Sequence, residues 1–195
     1  MKKQPKITDA TREVFITTCF QLAEVKNIYS ITIREITDLA GYNRTTFYRY
    51  FQDIFALIEY AEDEFINDLL DSILPLLGES NALNDDFFRI YLSKFREYKD
   101  RLHVLLSDQN RAHFIRRIQE KTLHRMNSTI ADTPKNKIVM NIYLTGIFSA
   151  LAAQVKNPKS ISDEELLGIT RRLFTLWYWP EVTGEGKEDS TLNKK

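Results

Sequence analysis

Apolar residues recur at helical spacing along most of the chain, and polar punctuation divides that pattern into separate helices. Val14, Phe15, Cys19, Leu22 and Ala23 share one face of a stretch from Thr8, its cap, to about Lys26. Ile33, Ile36, Leu39 and Ala40 form the buried face of a second helix. Thr32 followed three residues later by Glu35 makes a capping box, in which each side chain satisfies an orphan N–H at the helix start. Gly41 closes that helix, because glycine takes the left-handed conformation without steric cost. Asn43 caps a third helix over Arg44 to Tyr50, with Phe47 and Phe51 four apart on its inner face. Two helices joined by a short glycine-containing turn form a helix-turn-helix pattern. Its outer face carries Arg44, Thr45, Tyr48 and Arg49, which donate hydrogen bonds well to phosphates or base edges.

Asp53 caps a fourth helix that runs from Ile54 towards Leu74 and stops at Pro75. After a loop from Gly78 to Asn84, Asn84 or Asp85 caps a helix bearing Phe87, Phe88, Tyr91, Leu92, Phe95 and Tyr98. Leu102 to Leu106 and a basic helix from Asn110 to Asn127 come next. Pro134 starts a helix over Lys135 to Lys156, and Asp163 caps a last one that ends near Trp179, before Pro180. From Thr183 the chain is rich in Gly, Lys, Glu and Asn and is expected to be disordered. No strand-like alternation and no internal repeat interrupts the series, so the expected class is all-α.

Composition changes this picture only a little. The chain has 195 residues, 43% of them hydrophobic and 28% charged, values of a globular protein of one domain or two small ones. Net charge is zero, which by itself gives no support for nucleic-acid binding. Its distribution matters more. Met1 to Gln52 holds eight Lys/Arg against five Asp/Glu, whereas Asp53 to Asp71 holds seven acidic residues and no basic ones. A duplex can approach the first fifty residues while the next segment faces away. The one cysteine, Cys19, reads as a buried structural thiol with no basic neighbour in sequence to lower its pKa. No apolar signal core follows the basic start, and the cytoplasm is the expected location.

With those residues in view, the run from Thr32 to Phe51 resembles the DNA-binding motif of TetR-type (TetR/AcrR) one-component regulators. Cap, glycine and the block Thr46-Phe47-Tyr48-Arg49-Tyr50-Phe51 occur together in register, and the likeness extends from about Ile7 to Ala61. It implies an N-terminal three-helix DNA-binding domain followed by a C-terminal helical ligand-binding and dimerisation domain. The boundaries expected here are 1–52 for the reading head, 53–182 for the regulatory part and 183–195 for the tail. By resemblance, Thr32, Arg34, Asn43, Arg44, Thr45, Thr46, Tyr48, Arg49 and Tyr50 face double-stranded DNA, and Lys6 and Thr8 lie near its backbone. Two departures stand out. Thr45 occupies a position where the family often has glycine. Ile54 stands where the family usually has a lysine that touches a phosphate.

Beyond the head, Ile138 to Val155 is 18 residues without a charge, about 27 Å as a helix. Length alone admits a membrane span, but Asn141, Thr145, Ser149 and Gln154 break its apolarity, and no membrane is expected. A homodimer interface is the preferred reading, drawn on Tyr143, Gly146, Ile147, Ala150, Phe174 and Trp177. A two-fold pair of heads then reads a palindromic operator. The aromatic set Phe87, Tyr91, Phe95, Tyr98 and Phe114 is mostly core by chemistry; by resemblance it surrounds an effector pocket, with either a small molecule or a protein partner as effector. The basic cluster Arg111, Arg116, Arg117, Lys121 and Arg125 reads as a solvated helix face laced with Glu120 and Asp108. His103, His113 and His124 lack metal-ligand spacing, and no P-loop, dinucleotide or nucleophile-elbow motif is present. Neither a metal nor a cofactor is implied, and no enzyme. The expected function is a dimeric sequence-specific regulator, a repressor released by an effector; a co-activator or binding module that answers to a protein partner is the alternative.

Overall fold

The computed structural model describes residues 5–77, 85–126, 133–157 and 159–178. Their regular structure is helical throughout: α1 (Pro5–Ala23), α2 (Ile33–Ala40), α3 (Arg44–Tyr48), α4 (Ile54–Leu77), α5 (Asp85–Glu97), α6 (Lys99–Leu105), α7 (Arg111–Met126), α8 (Pro134–Lys156) and α9 (Asp163–Leu173). A 3₁₀ turn over Ile28–Ser30 precedes α2, and a π-helical turn over Phe174–Tyr178 extends α9. The all-α class is as expected.

Several boundaries shift for local reasons. Helix α1 begins at Pro5, so Thr8 lies within the helix and does not cap it; the helix ends at Ala23. Helix α3 ends at Tyr48, leaving Arg49 and Tyr50 in the turn that follows. Pro75 does not stop α4, which continues to Leu77. The proline lacks an N–H and so removes one backbone hydrogen bond, which the helix tolerates. Asp53 caps α4 as expected, its Oδ1 accepting from the Ala56 N–H at 2.8 Å. The cap of α9 is Ser162 and not Asp163: Ser162 Oγ accepts from the Glu165 N–H at 3.1 Å, and Glu165 Oε2 accepts from the Ser162 N–H at 2.9 Å. The loop expected at 78–84 and the tail expected at 183–195 lie outside the described residues.

One continuous core joins the N-terminal helices, the expected head, to the remainder. Phe15 sits at its N-terminal end, meeting Phe47 and Tyr42 edge-on with centroids 5.3 Å apart. On α1 the inward set is Phe15, Ile16, Cys19 and Phe20, while Val14 is exposed. On α2 the buried positions are Ile36 and Thr37, and Leu39 points outward. Cys19 is fully buried, and that burial pushes its thiol up to about 12, the inert structural thiol its sequence context suggests. Leu57, Ile58 and Ala61 carry the core along α4 to Phe65, which packs on Phe95, Tyr98 and Phe114. Burying such a phenylalanine is worth roughly 2–3 kcal/mol. The head therefore rides on α4 through shared packing and not through a linker.

Candidate nucleic-acid interface

The turn between α2 and α3 is held by its own hydrogen bonds before any partner is considered. Thr32 accepts from the Glu35 N–H at 3.3 Å, and Glu35 accepts from the Thr32 N–H at 2.8 Å, completing the capping box. Lys26 clamps the same carboxylate at 2.8 Å. That hydrogen bond, then those of Thr32, hold Glu35 down at about 2. Gly41 has φ +72°, the positive-φ residue of the described chain, and an added Cβ there would meet no atom within 4 Å. Its requirement is thus conformational and not spatial. Asn43 caps α3 by accepting from the Thr46 N–H at 2.7 Å, and the Thr46 hydroxyl donates to the same oxygen at 2.9 Å.

These bonds sort the nine residues of the expected reading face. Thr32, Asn43 and Thr46 spend their side chains on caps, and so act as positioning groups. Arg44, Thr45, Tyr48 and Arg49 are exposed, Tyr48 at 57%. Neither Arg44 nor Arg49 forms an ion pair among the described residues. Arg34 is exposed too, but shares its charge with Asp38 at 3.4 Å. Tyr50 departs from the expectation. Because α3 ends before it, its ring turns back to lie half-buried, 6.2 Å from Phe15 and beneath the Arg12 guanidinium. Sequence reasoning passed over Tyr42 and Leu39, both exposed at the α2–α3 turn. It also passed over an exposed stacked pair, Tyr29 on Phe55, at 5.8 Å. Helical periodicity had assigned Leu39 to the core, and no pattern distinguishes an outward aromatic in a turn. Ile54 is half-buried against the core, so the first residue of α4 offers no charge.

Behind the head, the acidic run on α4 and the basic cluster on α7 turn out to be each other's partners. Arg117 reaches Glu62 at 2.7 Å, Glu59 at 3.5 Å and also Asp63. Lys121 meets Asp63 at 3.2 Å, and Arg125 pairs with Asp71. Glu62 is almost wholly buried. Burial pushes its carboxyl up to about 7 against the pull of Arg117, with Asp63 and Glu59 adding to the rise. The Arg117 Nε and the Glu62 oxygen touch, but their directions do not make a hydrogen bond. His113 Nε2 lies 3.6 Å from the same carboxylate. Arg101 of α6 bridges Glu13 of α1 and Glu64 of α4, the latter at 2.6 Å. The expected solvated basic face is therefore in large part an internal one, and α4 is fastened on both sides.

Of the expected effector-pocket residues, Phe87, Tyr91 and Phe95 line two cavities in which Tyr98 and Phe114 take no part. Phe114 is fully enclosed between Phe65 and Phe148. Tyr98 faces Asp68 and carries Arg101 over its ring. One cavity of about 120 Å³ lies among α5, α6, α8 and α9; a smaller one of about 50 Å³ lies among α4, α5, α7, α8 and Phe174. Among the expected interface residues, Tyr143, Ile147 and Phe174 are buried inside the chain, where Tyr143 meets Phe174 edge-on at 5.5 Å. They cannot form an outer face. Gly146 is exposed with open space above it, and Ala150 is half-buried. The Trp177 side chain lies outside the described residues. The exposed apolar positions are instead Ile138 and Ile142 of α8, Ile169 and Leu173 of α9, and Leu176. The eighteen-residue apolar span of α8 is long enough to cross a membrane, but its other face packs into the core through Met140, Tyr143 and Phe148.

No family model matches the sequence, and no curated protein matches it. The fold, however, has solved neighbours. One is a protein assigned to the TetR family of transcriptional regulators, from Syntrophomonas wolfei str. Goettingen. It is 19% identical, with a TM-score of 0.65 over 85% of this chain and 93% of the neighbour. Another is the dihydroxyacetone kinase operon activator DhaS, 18% identical, with a TM-score of 0.53 over 88% of this chain and 98% of that one. Nearly the full length of both is covered, so the chain has the whole fold of these regulators and not merely a shared helix-turn-helix.

Proposed function

We propose that the protein is a dimeric, sequence-specific DNA-binding regulator of TetR type. The observation that carries this reading is the outer face of α3. There a capped, self-supporting helix-turn-helix presents Arg44, Thr45, Tyr48 and Arg49 to solvent, with neither arginine ion-paired among the described residues. Cations left unpaired beside an aromatic and a hydroxyl suit phosphate and base-edge contacts in a major groove. Thr32, Asn43 and Thr46 fix the angle of presentation. Helix α3 has only five residues, so one copy reaches few bases. A second copy docked on Ile138, Ile142, Gly146, Ile169 and Leu173 supplies the other half of a palindromic operator. In this reading the protein works in the cytoplasm as a repressor released by an effector, and carries out no catalysis.

A second reading has its own support. Ile54 is apolar and half-buried where a backbone-touching cation is expected, which suits a co-activator that needs a protein partner to hold DNA. A gel shift of the pure protein on its own promoter region separates the two. The first reading expects a saturable complex whose affinity falls steeply with salt, through counterion release. It also expects Tyr48→Ala to abolish that complex while the protein stays folded. Weak binding that Tyr48→Ala leaves unchanged would assign the protein to the second reading.

A further inference from the structure

We propose that the seam between α4 and α7 is a proton-operated latch on the N-terminal helices: one bound proton holds α4 against α7, and its loss frees α4 to shift. The movement rests on the seam alone, and its consequence for DNA rests on the regulatory reading above.

The seam holds more acid than base. Helix α4 brings Glu59, Glu62 and Asp63, and α7 answers with Arg117, which touches all three, and Lys121, which reaches Asp63 at 3.2 Å. Three carboxylates against two cations leave one negative charge in excess. It falls on Glu62, which is almost wholly buried, whereas Glu59 and Asp63 reach water. Glu62 Oε2 lies 2.7 Å from Arg117 Nε without the alignment of a hydrogen bond, which leaves both buried atoms without a hydrogen-bond partner. His113 of α7 comes within 3.6 Å of the same oxygen through Nε2, and Arg116 lies 3.3 Å from its Nδ1. Arg116 is exposed and meets no carboxylate among the described residues. Tyr29 faces the site from the turn before α2; burial first and the Glu62 charge second raise its phenol. The other polar contacts of α4 fall elsewhere along it, with Arg12 at Tyr60, Arg101 at Glu64, Lys94 at Asp68 and Arg125 at Asp71.

One proton on Glu62 removes the excess, and water is the other remedy. Burial raises this carboxyl to about 7, with Arg117 pulling it down and Asp63 and Glu59 raising it further, so the proton leaves near neutrality. Once it has left, the closed seam holds a buried charge that is poorly matched, and parting α4 from α7 hydrates it. The same stretch of α4 carries the N-terminal helices. Tyr60 packs on Phe51 with centroids 5.8 Å apart and lies under the Arg12 guanidinium at 4.8 Å, and Phe55 stacks on Tyr29. A helix that touches both groups transmits a shift at one to the other. The closed, protonated form therefore fixes the orientation of α3, and operator binding weakens as pH rises.

Spin labels on Asp38→Cys and Glu120→Cys, both exposed positions, read the movement in the full chain without DNA. Labelled chains are diluted among unlabelled ones so that only intrachain distances count, and buried Cys19 stays unlabelled. The distance distribution is expected to be narrow at pH 6 and broader or displaced at pH 8. In Glu62→Gln, which fixes the neutral state, it is expected to stay narrow at both. Operator affinity is expected to fall roughly tenfold over the same interval in the native chain, and by less than about twofold in Glu62→Gln. Glu59→Gln, at an exposed position, balances the seam without a proton and is expected to shrink the native loss to about threefold. An unchanged distribution between pH 6 and pH 8 would overturn the latch, as would a Glu62→Gln variant that responds like the native chain. Labels that move while no operator is bound at any pH would uphold the latch and overturn the regulatory reading instead.

Discussion

The outer face of α3 and the basic stripe of α7 are both cationic, yet they have opposite fates. Among the described residues Arg44 and Arg49 stand in solvent without a carboxylate, while Arg117, Lys121 and Arg125 are each met by an acid of α4. A raw tally of basic residues favours the middle of the chain as the polyanion-binding region, with ten Lys/Arg against four Asp/Glu between Arg89 and Arg125. Structure reverses that ranking. What marks a surface for an external anion is not the density of cations but the absence of an internal claim on them. The paired stripe serves a different end. It fastens α4, the helix on which the N-terminal helices pack, to α7.

This contrast is open to direct attack, and the largest effect belongs on the paired side. Arg117→Ala leaves Glu62 buried without its main counter-charge, and removing one partner of a buried pair costs about 3–5 kcal/mol. Denaturant unfolding should show the unfolding free energy fall by that amount, and Arg117→Ala combined with Glu62→Gln should recover much of it. If the single variant were as stable as the native chain, the stripe would be no more than surface decoration. Phe47→Ala is of similar size, about 3–4 kcal/mol, because the ring is wholly enclosed against Phe15 and Phe51. It should remove operator binding by unfolding the head. Tyr48→Ala, one residue away but exposed, should remove it with no change in melting temperature. Circular dichroism melts beside gel shifts distinguish the two.

Which parts were legible in the sequence follows the same division. Caps, the Gly41 turn and the Phe47/Phe51 face are local, encoded within four residues of one another, and they appear in the structure as the spacing predicts. Of the boundaries that moved, the one at Asp163 moved because its neighbour Ser162 caps instead; α1 already includes Thr8, and α4 runs past Pro75. Long-range partnership was not legible. Nothing in the acidic run 53–71 says that its partner lies more than fifty residues on, and nothing in α8 says which of its faces the chain covers itself. Tyr143, Ile147 and Phe174 are as apolar as Ile138 and Ile142, and only packing decides which set stays open. Tyr50 turned inward for a local reason that periodicity misses, the end of α3 two residues early.

A smaller effect separates the two regions by pH. Burial raises Glu62 to about 7, so the folded chain binds a proton there that the unfolded chain releases at about 4.5. The stability linked to this group is fully present below about 4.5 and is lost as pH rises through about 7. The shift corresponds to at most about 3 kcal/mol. Melting temperature should therefore fall between pH 5 and pH 8 in the native chain, and fall less in Glu62→Gln. Glu35, held at about 2, works in the opposite direction: its contribution is present above about 4.5 and is lost as pH falls through about 2, where protonation loosens the α2 cap. A Glu62→Gln variant with an unchanged pH profile would place the proton elsewhere.

The least effect on stability is expected at the residue that matters most to the proposed function. Arg44 has no ion pair among the described residues and sits in the exposed first turn of α3, so Arg44→Ala should alter unfolding free energy by no more than about 0.5 kcal/mol. On operator DNA it should weaken binding at least severalfold and lower the slope of log affinity against log salt by about one if its contact is a phosphate. If it instead reads a base edge, the slope stays put and discrimination among operator variants relaxes by about 1–3 kcal/mol at one position. Arg125→Ala, taken from the paired stripe, should do neither, since its charge is already spent on Asp71 and an exposed pair is worth under about 1 kcal/mol. Equal salt slopes for the two variants would mean that pairing does not decide which cations face the duplex.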